Sequence, residues 1–245
     1  MNSKPFIIAI DGPSASGKGT IARKLAAQLG LAHLDTGLLY RAVGYAVISA
    51  GGNPENAGLA EEAALALAAG FTDKSAGDVL APEAASKREA ILALMDFRKL
   101  MGDDVLRSDE ASVAASKVAA IPQVRAALLK FQKDFCAAPP GGVKGAVLDG
   151  RDIGTVIAPE AQVKIFVTAS AEARADRRFK ELKGRGLDVQ YEDVLEDMRA
   201  RDARDAERTI APTKPATDAI LLDTTNLNAD QALAETVKIV AGRIS

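Results

Sequence analysis

The sequence predicts an α/β fold: a five-stranded parallel sheet flanked by helices. Three observations carry this expectation. Five short runs are almost wholly apolar, as strands buried on both faces must be. Segments of helical periodicity alternate with them, and crossover helices are what join parallel strands. A glycine-rich loop also sits between the first such strand and the first helix.

Phe6 to Asp11 is the first strand, its apolar run ending at Gly12-Pro13. From Lys18 to Leu29, Ile21, Ala22, Leu25, Ala26 and Leu29 recur at helical spacing, and Gly30 stops the helix. A short strand over Ala32–Asp35 precedes a helix from about Gly37 to Ala50, ended by Gly51-Gly52. Residues from about 53 to 104 are rich in Ala and Glu and punctuated by Pro54, Gly70, Gly77, Pro82 and Gly102. Helical patterns over about 54–69 and 83–100 mark this stretch as a helical insertion. Pro-Pro-Gly-Gly at 139–142 is a loop returning the chain to the sheet, where strands Ala146–Asp149 and Val163–Ala169 follow. The strand Ala219–Asp223 and a helix from about Ala229 to Arg243 complete the chain. The whole reads as a single domain over 1–245, with no internal repeat.

Composition narrows the function classes. Lys and Arg number 31 against 33 Asp and Glu, a net charge of −2, and aromatics are 4% with no Trp. That is not a chain selected globally to bind nucleic acid. The single Cys136 excludes a disulfide within one chain and any multi-thiolate zinc site, and the single His33 makes Ser-His-Asp chemistry implausible. Both are read as structural. No apolar run approaches the roughly 20 residues of a membrane span, and the N-terminal IIAI, broken by Asp11, is a strand rather than a signal peptide. The expectation is a cytoplasmic protein with neither nucleic-acid nor membrane partners.

The loop Gly12-Pro13-Ser14-Ala15-Ser16-Gly17-Lys18 follows a strand and opens a helix, the context in which such loops hold phosphate. Its glycines let successive N–H groups turn inward, the helix end adds its dipole, and Lys18 adds a full charge. Gly19 stands where a Mg²⁺-ligating Ser or Thr is usual, and the hydroxyl comes one place later at Thr20. This favours phosphoryl transfer to a small molecule over a GTPase or motor.

Asp35-Thr36-Gly37 lies at a strand's carboxyl end, where α/β ligands bind, although simple helix capping explains the pair as well. Arg41, one turn into the next helix, can reach the same edge. Leu148-Asp149-Gly150-Arg151-Asp152-Ile153-Gly154-Thr155 places a carboxylate at another strand end with an Arg–Asp pair just beyond; the alternative is a local pair steadying a loop. Segment 172–208 holds 21 charged residues among 37, which alone reads as solvated helices. Phase argues for more. On a helix from about 190 to 206, Tyr191, Val194, Leu195 and Met198 form one face, which Asp202 and Asp205 continue, with Arg201 and Arg208 at its edge. Arg174, Arg177 and Arg178 precede Lys183-Gly184-Arg185-Gly186, so 172–190 reads as a lid over phosphates, or else as surface decoration.

The blocks DGPSASGKGT, LDTGLLYRAV, AASKVAAIPQVR, LDGRDIGTVIAP and RARDARDAER, in that order, resemble bacterial cytidylate kinases within the P-loop nucleoside monophosphate kinases. The resemblance implies ATP-dependent, in-line phosphorylation of CMP and dCMP by a monomer. It assigns residues 12–20 to ATP, that is Gly12, Pro13, Ser14, Ala15, Ser16, Gly17, Lys18, Gly19 and Thr20, with Lys18, Arg151 and Arg178 in catalysis. Mg²⁺ would be held by the nucleotide and waters and oriented by Asp35 and Asp149. Ser116, Arg125 and Asp152 would read cytosine, and Thr36 fills a Ser/Thr position of the acceptor site. Arg41, Arg151 and Arg208 would hold the acceptor phosphate, with Arg201 and Asp205 at the sugar. Residues 53–104 would then be an acceptor-side insertion. Many relatives have β-rich structure over about 71–104, where this sequence reads helical. Another nucleoside monophosphate kinase and a nucleotide-sensing module without turnover are the competing readings.

Overall fold

The computed structural model describes residues 4–72 and 104–244. Five strands, β1 (Phe6–Asp11), β2 (Ala32–Asp35), β3 (Gly145–Gly150), β4 (Val163–Thr168) and β5 (Ile220–Asp223), form one parallel sheet in the order β2-β3-β1-β4-β5. Central β1 and β3 bury almost every residue, as their unbroken apolar runs demand. β5 lies on an edge, and its Leu221 is exposed accordingly. The register sets Asp35 beside Asp149 and Asp11 beside Gly150, so acidic residues collect along the carboxyl edge.

The chain divides into two compact units, one of residues 1–35 and 134–245 and one of residues 36–133. The first holds the sheet. Helices α1 (Lys18–Leu29) and α8 (Ala229–Ile244) pack on one another, and Ile21, Leu25, Ala232 and Val240 join Ile8, Ile10, Val147 and Ile165 in its core. Helices α6 (Ala171–Gly184) and α7 (Tyr191–Ala206) pair through Ala175, Leu182 and Val194, with Phe179 edge-on to Tyr191.

The second unit is helical: α2 (Thr36–Ser49), α3 (Ala57–Thr72), α4 (Asp109–Val118) and α5 (Pro122–Ala137), whose last turn passes into the first unit. Its core joins Leu39, Val43 and Val47 to Leu67, Leu106, Val118 and Leu128. A Cβ on Gly44 would lie 2.8 Å from Ala114, so that glycine is what lets α2 and α4 approach so closely.

The helix expected over 54–69 is α3, a few residues later in the chain, whereas the one expected over 83–100 lies outside the described residues. The loop at 139–142 contains a single 3₁₀ turn, with Gly141 at φ 77°. Among the described residues no helix is long and apolar enough to cross a membrane.

Candidate active site

The phosphate loop leaves β1 at Asp11 and enters α1 at Lys18. Gly12 has φ 149°, and a Cβ there would meet the carbonyl oxygen of Val167 at 2.0 Å. Only glycine fits. Gly17 precedes α1 in a left-handed conformation, no side chain caps the helix, and no acidic residue stands in its first turn. Its leading amides are therefore uncapped and its positive dipole end is uncompensated, as an anion site requires. The loop's carbonyls are held by donors outside it or at its end: Pro13 O by Lys18 Nζ (3.1 Å), Ser14 O by Arg174 Nη1 (3.3 Å) and Ser16 O by Thr224 Oγ1 (2.9 Å). The Ser16 hydroxyl is buried and has no partner among the described residues.

Beside the loop lies a cavity of about 420 Å³, bounded by Ala15, Gly17, Thr20, Arg177, Arg178, Thr224 and Asn228. Of the three arginines read as a lid, the structure commits two to the scaffold. Arg174 is buried, with Nε on Ala169 O at 3.0 Å and a two-pronged pair with Asp202. Arg177 donates to the hydroxyl and carbonyl of Thr224 and to Leu227 O. Arg178 faces the cavity and pairs with Glu181 at 2.8 Å.

Lys18 is a strongly perturbed cation. Desolvation lowers its pKa from 10.5 to about 7; Arg151 and Arg201 lower it too, against Asp149 and Asp35. Asp11 is pushed up to about 6 by burial, although Ile153 N and Gly154 N donate to its two oxygens at 2.7 and 2.8 Å. Those bonds pin the short π-helical turn Ile153–Ile157, and with it the end of Gly150-Arg151-Asp152. Asp149 is buried, with Oδ2 at 2.9 Å from His33 Nε2 and Oδ1 toward Gly19, where a Cβ would lie 3.5 Å away.

Asp205 is 3% exposed; it accepts from Arg151 Nε at 3.0 Å on one oxygen and from Arg208 on the other. Burial works to raise the Asp205 pKa, yet Arg151, Arg208 and Arg201 hold it below the usual carboxylate range. Val194 and Met198 are buried on the same helix, and Asp152 is buried nearby in sequence to Arg151.

The remaining candidates lie in the helical unit. Thr36 is buried at the start of α2, and Arg41 Nη1 donates to Leu106 O at 3.0 Å. Arg125 sits 5.6 Å over the Tyr40 ring and reaches Ala119 O. The hydroxyl of Ser116 is buried without a partner among the described residues. So Thr36, Arg41, Ser116 and Arg125 belong to one unit, and Arg151, Asp152, Arg201, Asp205 and Arg208 to the other.

Residue patterns did not reveal Thr224 or Asn228, which the fold brings to the cavity from more than 200 residues away. Nor did they reveal His33 as the partner of Asp149. The alternation of His33 and Asp35 along β2, with Asp149 one strand over, is the signal that could have found it.

The sequence profile of the family described as cytidylate kinase matches residues 8–242. A cytidylate kinase of Paramagnetospirillum magneticum is 54% identical, the alignment covering 97% of this chain and 98% of that one. Those of Rhodospirillum rubrum and Granulibacter bethesdensis are 53% and 51% identical, each over 96% of this chain and over 97% and 96% of their own. With the phosphate loop, parallel sheet and arginine cluster in place, these matches establish that the chain is a kinase and belongs to the cytidylate kinase family.

Proposed function

We propose that the protein transfers the γ-phosphoryl group of ATP in line to CMP and dCMP, giving ADP with CDP or dCDP. The observation that carries this reading is one buried carboxylate, Asp205, holding two arginines, Arg151 and Arg208, in the unit that also carries the phosphate loop. Phosphoryl transfer needs positioned cations rather than a covalent nucleophile, and that is what the chain offers.

The uncapped amides of α1 and the loop take the donor's phosphate oxygens, and Lys18 contributes its charge at the β/γ position. The cavity of about 420 Å³ accommodates the donor nucleoside, with Arg178 at its rim available to the transferring group. Arg41, Arg151 and Arg208 bind the acceptor phosphate, and Arg201 and Asp205 meet the sugar. Ser116, Arg125 and Asp152 serve the base, and Thr36 stands in the acceptor site; the buried Ser116 hydroxyl, with no partner among the described residues, supports a ligand contact there.

Mg²⁺ suits this site as a nucleotide-borne ion. Among the described residues no three His, Cys, Asp or Glu side chains cluster to hold a metal, and Gly19 offers no hydroxyl. Hard carboxylate oxygens on Asp149 and Asp35 can order its waters. When bound, the ion neutralises charge on the phosphates. We further place the enzyme in the cytoplasm, as a monomer.

ADP release measured with CMP, dCMP, UMP, AMP and GMP tests the reading. Turnover confined to CMP and dCMP is expected. Preference for a purine monophosphate, or no turnover with any, overturns it.

A further inference from the structure

A guanidinium as buried as that of Arg174, 5% exposed, must be neutralised and fully hydrogen-bonded to be tolerated. Asp202 neutralises it, and each of its three nitrogens donates, to three separate pieces of chain in all. Nε donates to Ala169 O at the end of β4 (3.0 Å), and Nη1 donates to Ser14 O in the phosphate loop (3.3 Å). Nη1 and Nη2 together grip the Asp202 carboxylate on α7, at 3.0 and 2.5 Å. Only a planar fork can serve all three at once; an ammonium cannot.

The bond to Ser14 bears on the loop's shape. A peptide unit is planar, so fixing the Ser14 carbonyl turns the Ala15 N–H to the opposite side. Ala15 itself has φ 57°, a left-handed conformation that L-residues seldom adopt, and so its geometry is imposed from outside. Asp202, the other end of the clamp, is one helical turn from Asp205 and next to Arg201. Thr224 offers a contrast. It holds Ser16 O in the same loop, but its other contacts run to Thr168 and Arg177 and not to α7.

We propose that Arg174 is a positioning residue that couples the phosphate loop to α7, setting the donor's cradle and the helix of Arg201 and Asp205, with Arg208 just beyond its end, in one geometry. This rests on the reading of the loop as the ATP phosphate site. Arg174 touches neither substrate; it acts through Ser14 and Asp202.

The experiment compares kcat and both KM values for three variants, with melting temperatures. Arg174→Lys keeps the charge and loses the fork, and it should raise KM for ATP and for CMP about tenfold each. Asp202→Asn weakens only the α7 end and should raise KM for CMP alone. Thr224→Val removes the other loop anchor, together with the hydroxyl's bonds to Thr168 and Arg177 but nothing on α7, and should raise KM for ATP alone. A lower melting temperature with both KM values unchanged in Arg174→Lys makes the residue merely structural and overturns the proposal. A change in only one KM in that variant removes the coupling and overturns it too. Should Arg174→Lys not fold, the double variant Arg174→Met/Asp202→Leu, which strands no buried charge, takes its place under the same criteria. An inactive wild-type enzyme overturns the underlying reading of the site instead.

Discussion

At the scale of single residues, Lys18 shows how burial becomes function. Desolvation brings its pKa to about 7, so near pH 8 the ligand-free amine is mostly neutral. Phosphates bring negative charge that restores the proton. ATP binding at pH 8 should therefore take up protons, toward one per site, and the uptake should shrink as pH falls below 7. Calorimetry in buffers of different ionisation heat measures this, and Lys18→Met should abolish it while lowering turnover by orders of magnitude; binding without uptake in the wild type refutes the assignment. The same shift makes the ligand-free protein gain stability as pH rises from about 7 toward 10, because the unfolded lysine keeps a proton that the folded one has lost. On the proposed reading Asp152 governs the choice of base. An ionised carboxylate accepts hydrogen bonds, which suits the cytosine amino group and repels the carbonyl that uracil presents there. Asp152→Asn can turn its amide to donate, so CMP activity should fall and the CMP/UMP ratio of kcat/KM narrow by about 2–4 kcal/mol, roughly thirty- to a thousandfold. An unchanged ratio would mean that Asp152 only steadies its own loop. Helical phase alone placed Asp205 inward with Arg208 at its edge, but not Arg151 beside it. Nothing local, however, told Arg174 and Arg177 apart from Arg178, because their partners Ser14, Asp202 and Thr224 are 28 to 160 residues away.

At the scale of elements, all five strands were legible to within a residue or two at each end: β1 and β3 because a strand buried on both faces has no choice but to be apolar, and the half-buried β2, β4 and β5 because each is still a short apolar run. Two helices were not. α4 buries Ala111, Ser112, Ala114, Ala115 and Ser116, a face with little hydrophobic contrast, and it can do so because Gly44 lets α2 come close. Its start was signalled all the same: Ser108 caps it, accepting from Ala111 N, and Asp109 and Glu110 follow in the first turn. α5 begins at Pro122, the position a helix tolerates best, and buries only Val124, Leu128 and Gln132 of its face. The turn Ile153–Ile157 is the opposite case, since Ile-Gly-Thr-Val-Ile has the β-branched content of a strand. Its shape is tertiary. The Asp11 carboxylate, 142 residues earlier, accepts the Ile153 amide and also the Gly154 amide. Asp11→Ala should orphan both buried donors and cost about 1–3 kcal/mol for each, read from urea unfolding. Kinetically it should damage CMP more than ATP, since the turn carries the end of Arg151-Asp152 and not the phosphate loop's amides. Unaltered stability would show that solvent satisfies those amides instead.

At the scale of the whole molecule the charge balance sets how substrates are captured. Both nucleotides are polyanions, yet the chain carries a net charge of −2, so no long-range field draws them in. Attraction has to be local, from Lys18 and the arginines gathered around Asp205, which are buried or half-buried. Those arginines are already matched by a carboxylate in the ligand-free protein, so a phosphate exchanges partners with them rather than meeting bare charge. Salt acts differently on the two kinds of attraction. Between about 0.05 and 0.5 M KCl the Debye length falls from about 14 Å to about 4 Å, which erases steering but leaves contacts in a buried cluster largely unscreened. With free Mg²⁺ held saturating, KM for CMP and for ATP should rise by less than about tenfold over that range, and kcat should change by less than about twofold. A fall in kcat/KM of a hundredfold or more would mean that a surface field does the capturing. The arginines on Asp205 would then be scaffold, and the sites that bind phosphate would have to be sought among the exposed lysines.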